Sequence, residues 1–129
     1  MDSFKLDTKE KFNVVTPNTA QIADITAEKL RQILQEQLQK TPKNVVLNLE
    51  NVESIDAATG GALGEIAAQY MDSNVSFVLC GLTPTVKKTL DALELTDILN
   101  ITPTESEAWD IVQMEEIERE LFSDEEKPI

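Results

Sequence analysis

The sequence contains no histidine and a single cysteine, Cys80. It also has only one Trp, one Tyr and four Gly, and its 24 acids outnumber its 11 bases. Without histidine, a Ser-His-Asp triad, a papain-like Cys-His pair and a His-ligated zinc are all impossible. One cysteine excludes an intrachain disulfide and a thiolate zinc cluster, and it suits a reducing compartment. A formal net charge of −13 opposes electrostatic binding to nucleic acid or to anionic lipid. No run approaches the ~20 apolar residues that a membrane span needs. The first residues, Met1-Asp2-Ser3-Phe4-Lys5, show no apolar run behind a basic start, so no signal peptide is expected. The expectation is a cytoplasmic protein with no nucleic-acid partner and no membrane insertion.

What is present suits one globular domain: 129 residues, 41% hydrophobic and 27% charged. The acids are unevenly spread. Residues 105–129 hold ten acids and two bases, a net −8, and residues 1–104 carry the remaining −5.

Hydrophobic periodicity orders the chain as ββαβαβαβα. Phe4 and Leu6 alternate with polar residues, residues 7–11 form a polar turn, and Phe12 to Thr16 make a second strand, which together predict a hairpin. Residues 18–24 are polar and irregular. Ala27, Leu30, Ile33, Leu34 and Leu38 recur at helical steps, with Asp24 or Thr26 available as a cap. Asn44 to Leu49 and Val75 to Cys80 are compact apolar runs, the signature of buried strands. Between them Ala62, Leu63, Ile66, Ala67, Tyr70 and Met71 mark a helix, which completes a βαβ unit. Thr83-Pro84 opens a further helix lined by Val86, Leu90 and Leu93. Ile98 to Ile101 reads as a short strand. Pro103-Thr104 then starts a last helix, with Thr104 and Glu107 forming a capping box. Its apolar stripe is Ala108, Ile111, Met114, Ile117 and Leu121, with Trp109 and Val112 beside it. The pattern predicts one α/β domain over residues 1–122: a mixed sheet of about five strands with about four helices packed on it, followed by an acidic frayed tail at 123–129.

Two segments carry a resemblance. One runs from Val45 through Asp56-Ala57-Ala58-Thr59-Gly60-Gly61 to Leu63. The other runs from Phe77 through Cys80-Gly81-Leu82-Thr83-Pro84-Thr85-Val86 and on to Pro103-Thr104. Together they resemble the STAS domain, shared by sulphate transporters and anti-sigma-factor antagonists, over roughly residues 4–122. The family pattern is a strand, Asp-Ser-Ser-Gly-Leu-Gly, a helix, a strand ending in Gly-Leu, and a Pro-x-Val helix. The resemblance implies a non-catalytic switch module. In the family, the antagonist docks on an anti-sigma factor, often a serine kinase of histidine-kinase-like fold. Phosphorylation of a Ser at the N-terminus of the second helix ends the binding, because it adds about −1.5 to −2 charge where the partner must sit. No cofactor or metal is implied.

This sequence departs from the family at the switch. Asp56 and Gly61 match the pattern. The phosphoacceptor position falls on Ala58 and its Ser neighbour on Ala57, and a methyl group cannot accept phosphate. The family's usual early Asp aligns with Ala23, one residue before Asp24. The resemblance thus implies a partner-binding site at Asp24, Asp56, Ala57, Ala58, Thr59, Gly60 and Gly61. Thr59 is the one displaced phosphoacceptor candidate, set against the simpler role of an N-cap. Asp56, with Glu50, Glu53 and Glu65 nearby, invites an acid–base or cation-binding reading. A helix-terminal acid that complements the dipole is the better account. Gly60, Gly61 and Gly64 make no phosphate loop, because no Lys-Ser/Thr follows. Cys80 reads as a buried small hydrophobe and Lys87-Lys88 as an exposed helix face.

Three functions compete. The first is a regulatory module that binds an anti-sigma factor or kinase-like partner without the phosphoserine switch. The second is a non-phosphorylated accessory or scaffold subunit of a larger, for example transporter-associated, assembly. The third is an enzyme, which no motif supports. The last helix is expected to pack its stripe on the domain. The alternative is that Met114, Ile117, Leu121 and Phe122 dock on a partner or on a second copy as a homodimer.

Overall fold

The computed structural model describes residues 4–126, with side chains to Leu121. The elements are β1 (Phe4–Thr8), β2 (Phe12–Pro17), β3 (Gln21–Ile22), α1 (Asp24–Gln37), β4 (Asn44–Asn48), β5 (Ser54–Ile55), α2 (Ala57–Asp72), β6 (Phe77–Cys80), α3 (Pro84–Ala92), β7 (Asn100–Thr102) and α4 (Glu105–Glu126). β1 and β2 form the expected antiparallel hairpin, with Phe4 opposite Pro17 and Thr8 opposite Asn13. β2, β4, β6 and β7 run parallel, so the main sheet is mixed and ordered β1-β2-β4-β6-β7. The architecture is the α/β one expected: a five-stranded mixed sheet with four helices.

Two differences are local. β3 and β5 form a separate parallel pair, Ile22 opposite Ile55, inside segments read as irregular. Two residues are too short for a period of two to show. The last strand begins at Asn100 rather than Ile98, and Ile98 is 61% exposed.

The sheet is covered on both faces, and the strand period sorts its residues between them. Val45, Leu47, Phe77 and Leu79 join Leu30 and Leu34 of α1, Leu63, Ile66 and Tyr70 of α2, and Val86 and Leu90 of α3. Phe12, Val14, Val46, Val78 and Cys80 point the other way, onto Ala108 and Val112 of α4. Each such apolar side chain stabilises the fold by about 1.5–3 kcal/mol relative to exposure. Cys80 is buried as expected, and that burial pushes its thiol up to about 12, with Glu105 and Glu50 adding to the effect. Trp109 packs edge-on against Phe12, ring centroids 5.3 Å apart.

α4 is registered on β4 by two asparagines. Asn48 Nδ2 donates to Glu105 Oε1 at 3.2 Å, in the first turn of α4. At the other end of the strand, Asn44 Nδ2 donates to Glu116 Oε1 at 2.7 Å, and Asn44 Oδ1 accepts from Arg119 at 3.3 Å. These contacts set which face of α4 looks inward, and that face is not the one expected. Met114, Ile117 and Leu121 are 57%, 53% and 58% exposed, and among the described side chains of α4 only Ala108 and Val112 are buried. The cause is rotational. A stripe stepping by three, 108-111-114-117, falls about 60° behind the helix at each step, so Ile117 lies half a turn from Ala108. Met71 of α2 departs likewise, at 72% exposure. The backbone of α4 continues to Glu126, so the expected tail at 123–129 falls partly within the helix, and residues 127–129 lie outside the described residues.

α1 and α2 are joined by Tyr70, whose hydroxyl donates to the carbonyl of Leu34 at 2.6 Å. Leu34 is in the last turn of α1, where carbonyls run out of helical partners, and the N–H of Leu38 turns to Gln35 O instead. Tyr70→Phe strands that buried carbonyl. The expected loss is about 1–2 kcal/mol, read as a fall of roughly 4–7 °C in Tm by calorimetry, with the circular dichroism spectrum unchanged.

Candidate functional site

The first turn of α2 lies beyond the C-terminal ends of β4 and β6, where α/β sheets commonly place their sites. Asp56 is its N-cap, in extended conformation. One carboxylate oxygen, Oδ1, accepts from the Thr59 N–H at 2.8 Å and also from the Thr59 hydroxyl. Thr59 Oγ1 additionally lies 3.1 Å from the carbonyl of Ile22. The Asp56 N–H itself donates to Ile22 O at 3.3 Å. One acid and one hydroxyl therefore tie the start of α2 to the end of β3. Donation from Thr59, through its hydroxyl first and its N–H second, holds the Asp56 carboxyl below the usual aspartate value.

This geometry assigns the expected residues to two groups. Thr59 is 1% exposed and Gly60 is also buried. Thr59 sits at the third helical position and is not the cap; that role belongs to Asp56. Asp56, Ala57, Ala58 and Gly61 are exposed. Gly60 is small because Leu93, at the C-terminal cap of α3, crosses over it: a Cβ there would come within 2.5 Å of Leu93 Cδ1. A Cβ on Gly61 would meet nothing within 4 Å. The outer surface of the turn is thus a run of methyls and bare backbone.

Asp24 shares this face. Ile22 pairs with Ile55, so residues 23–25 and 56–58 leave the β3–β5 pair side by side. Neither Asp24 nor Thr26 is the cap of α1. The cap position is Ala23, with no side-chain capping bond, and its carbonyl accepts from Thr26 and Ala27. Asp24 is exposed in the left-handed region, φ 51°, a conformation that costs most L-residues about 1–2 kcal/mol. The residue after it, Ile25, is 73% exposed, and sequence reasoning missed it. Its signal was an apolar residue one step off the α1 stripe. Thr83 closes the opposite side: it occupies the cap position of α3, yet its hydroxyl donates to Val52 O at 2.9 Å.

The other acids go elsewhere. Glu65 pairs with Arg31 at 2.8 Å across α1 and α2. Glu50 donates its N–H to Asn48 Oδ1. Among the described residues no group of three or more Cys, Asp or Glu is placed to hold a metal ion. No helix among them is long and apolar enough to cross a membrane.

The features just described, a hairpin-led mixed sheet with a capped helix presenting its first turn at the strand ends, define a class of domain. The STAS domain model matches residues 4–108, and the chain belongs to that family. Solved structures agree. A Thermotoga maritima protein, described as a candidate anti-sigma factor antagonist, is 27% identical, with a TM-score of 0.76 over 85% of this chain and 94% of that one. An anti-sigma factor antagonist from Mycobacterium paratuberculosis is 18% identical, with a TM-score of 0.78 over 88% of this chain and 95% of that one. The anion transporter Slc26a9 of mouse shares the fold at 16% identity and a TM-score of 0.69, over 84% of this chain and 18% of the transporter.

Asp56→Ala removes the cap and frees Thr59. The expected loss is about 1 kcal/mol, or roughly 4 °C in Tm. The same contribution depends on pH. Because the folded-state pKa is depressed, the stabilisation is present above the ordinary aspartate pKa and disappears as pH falls through the lower folded value. Melting curves of wild type and Asp56→Ala should therefore differ at neutral pH, begin to converge below about pH 4 and meet only once the pH lies below the depressed folded-state value. A difference that persists there would place the effect outside the carboxylate.

Proposed function

We propose that the chain is a regulatory binding module of the anti-sigma-factor-antagonist type, without catalytic activity and acting in the cytoplasm. It docks on an anti-sigma factor, of the kind built on a serine kinase of histidine-kinase-like fold, through Asp24, Ile25, Asp56, Ala57, Ala58 and Gly61. Its binding is not switched off by phosphorylation. The observation that carries this reading is the bonding of Thr59: the hydroxyl nearest the family's acceptor position is buried and hydrogen-bonded to Asp56 and Ile22. Position 58 offers only a methyl. To reach a kinase, the Thr59 hydroxyl would have to leave both Asp56 and Ile22 and come out from the buried side of the first turn of α2. The outward surface, two alanines and a bare Gly61 beside an exposed isoleucine, suits close approach by a partner backbone. Burial of Ile25 alone would contribute about 1.5–3 kcal/mol to such a complex. The likeness to the transporter domain is one of fold, and this surface gives the accessory-subunit reading no separate support.

Two measurements test the proposal. Incubation with a cognate serine kinase and ATP should leave the intact mass unchanged, and a phosphoryl adduct mapped to Thr59 would overturn the locked-switch reading. Affinity capture from native lysate should retain a kinase-like protein with the wild type and lose it with Gly61→Arg and Ile25→Asp. Both substitutions project into open surface, so both variants should melt within about 2 °C of wild type, as exposed sites do. Retention of transport-complex subunits instead of a kinase-like protein would favour the accessory role.

A further inference from the structure

α4 carries a second apolar face on which none of the described residues packs. Met114, Ile117 and Leu121 are each more than half exposed. Their spacing of three and then four residues stacks them into one stripe, on the side of the helix opposite the buried Val112. This face lies beyond residue 108, where the match to the family model ends. The helix has no need to pack it inward, because Asn44 and Asn48 already fix the other face through Glu116, Arg119 and Glu105.

The borders of the stripe select the occupant. Glu107, Asp110, Glu118 and Glu120 are exposed along α4. The one base of α4 among the described residues, Arg119, is turned inward, donating to Glu116, Ser76 and Asn44. The stripe is therefore apolar with acidic edges. A second copy laid on it would bring acidic edges against acidic edges, and like charges at the flanks of a helix pair oppose association. An anionic membrane or a nucleic acid is repelled for the same reason. We infer that this face of α4 docks a cationic amphipathic segment of a partner protein, one whose apolar row is bordered by Lys or Arg. Apolar contact supplies affinity, and the charged edges supply orientation and partner choice.

The test uses the full chain and a synthetic helical peptide with Leu at the seam positions and Lys at the flanking ones, read by fluorescence anisotropy. Wild type should bind it. The triple variant Met114→Ser, Ile117→Ser, Leu121→Ser keeps every acid and should bind at least about tenfold more weakly, the loss expected from three half-buried side chains. Raising NaCl to about 0.5 M should weaken the wild-type complex by screening the edges. A Glu-flanked version of the peptide should not bind. The double variant Glu118→Lys, Glu120→Lys should lose the Lys-flanked peptide while keeping its fold by circular dichroism. Gly61→Arg should bind the peptide like wild type, which separates this face from the one at α2. Equal binding by the triple variant would reduce the effect to bulk charge and overturn the inference, as would absence of binding to wild type. A dimer in sedimentation equilibrium that the triple variant abolishes would assign the face to a second copy and overturn it too.

Discussion

The carboxylate of Asp56 is the contact on which the α2 surface depends. It gathers the N–H and the hydroxyl of Thr59, and Thr59 in turn reaches the carbonyl of Ile22. Two segments that are far apart in sequence, the end of β3 and the start of α2, are held together by that cluster. It lets the first turn of α2 begin without a frayed end and turns its small residues outward. It also occupies the hydroxyl of Thr59. A hydroxyl that serves as a structural donor inside the turn is not presented on its surface, which is the basis of the proposal that Thr59 does not replace the missing serine.

A comparable economy governs the other side of the sheet. β4 is buried throughout, yet it begins and ends on asparagine. Asn44 and Asn48 share the face of Val46, so a single strand offers α4 a polar contact, an apolar one and a second polar one. Buried amides left unpaired would each cost about 1–3 kcal/mol, and α4 satisfies them with Glu116 and Glu105. Accepting from Asn44 is also the foremost reason that the Glu116 carboxyl sits below its ordinary value, with Arg119 helping. Part of the acidity of residues 105–129 is thus structural. Among the described residues, Glu107, Asp110, Glu118 and Glu120 are exposed and border the outer stripe.

How far this was readable from sequence follows from which residues obey a long period. The runs at Asn44–Leu49 and Val75–Cys80 are apolar on both faces and flanked by helical patterns, so the sheet and its crossovers were legible. An acid at the start of α2 was legible, but the cap was read at Thr59, three residues inside the helix, and the structure places it at Asp56. The β3–β5 pair was not, because two residues carry no periodicity and their pairing joins positions 33 apart. Nor was the left-handed turn at Asp24 that leaves Ile25 outside. The reading of α4 failed for a different reason. Ala108, Ile111, Met114 and Ile117 look like a stripe when counted in threes, and only the partners of Asn44 and Asn48 show which side of the helix the sheet selects. Local apolar spacing marks a helix, but tertiary hydrogen bonds choose its inward face.

Taken together, the two surfaces imply a division of labour. The α2 turn is nearly featureless: methyls, a bare glycine and one isoleucine, with Asp24 and Asp56 for charge. On the proposed function such a surface would recognise a partner by how closely it can be approached, and none of these outward residues carries a hydroxyl for a kinase to modify. If position 58 cannot carry charge and Thr59 is engaged, the chain cannot be turned off at this site by covalent modification of the usual kind. Occupancy of the α2 face would then follow from the amounts of chain and partner and from the partner's own state. The outer face of α4 differs in kind, since exposed acids border its apolar stripe, and on the inference above they would give it a salt-dependent, directional preference. A module with a constitutive face at α2 and a charge-selective face on α4 could join two proteins, with selectivity residing in the part of α4 beyond residue 108 and not in the family's usual switch.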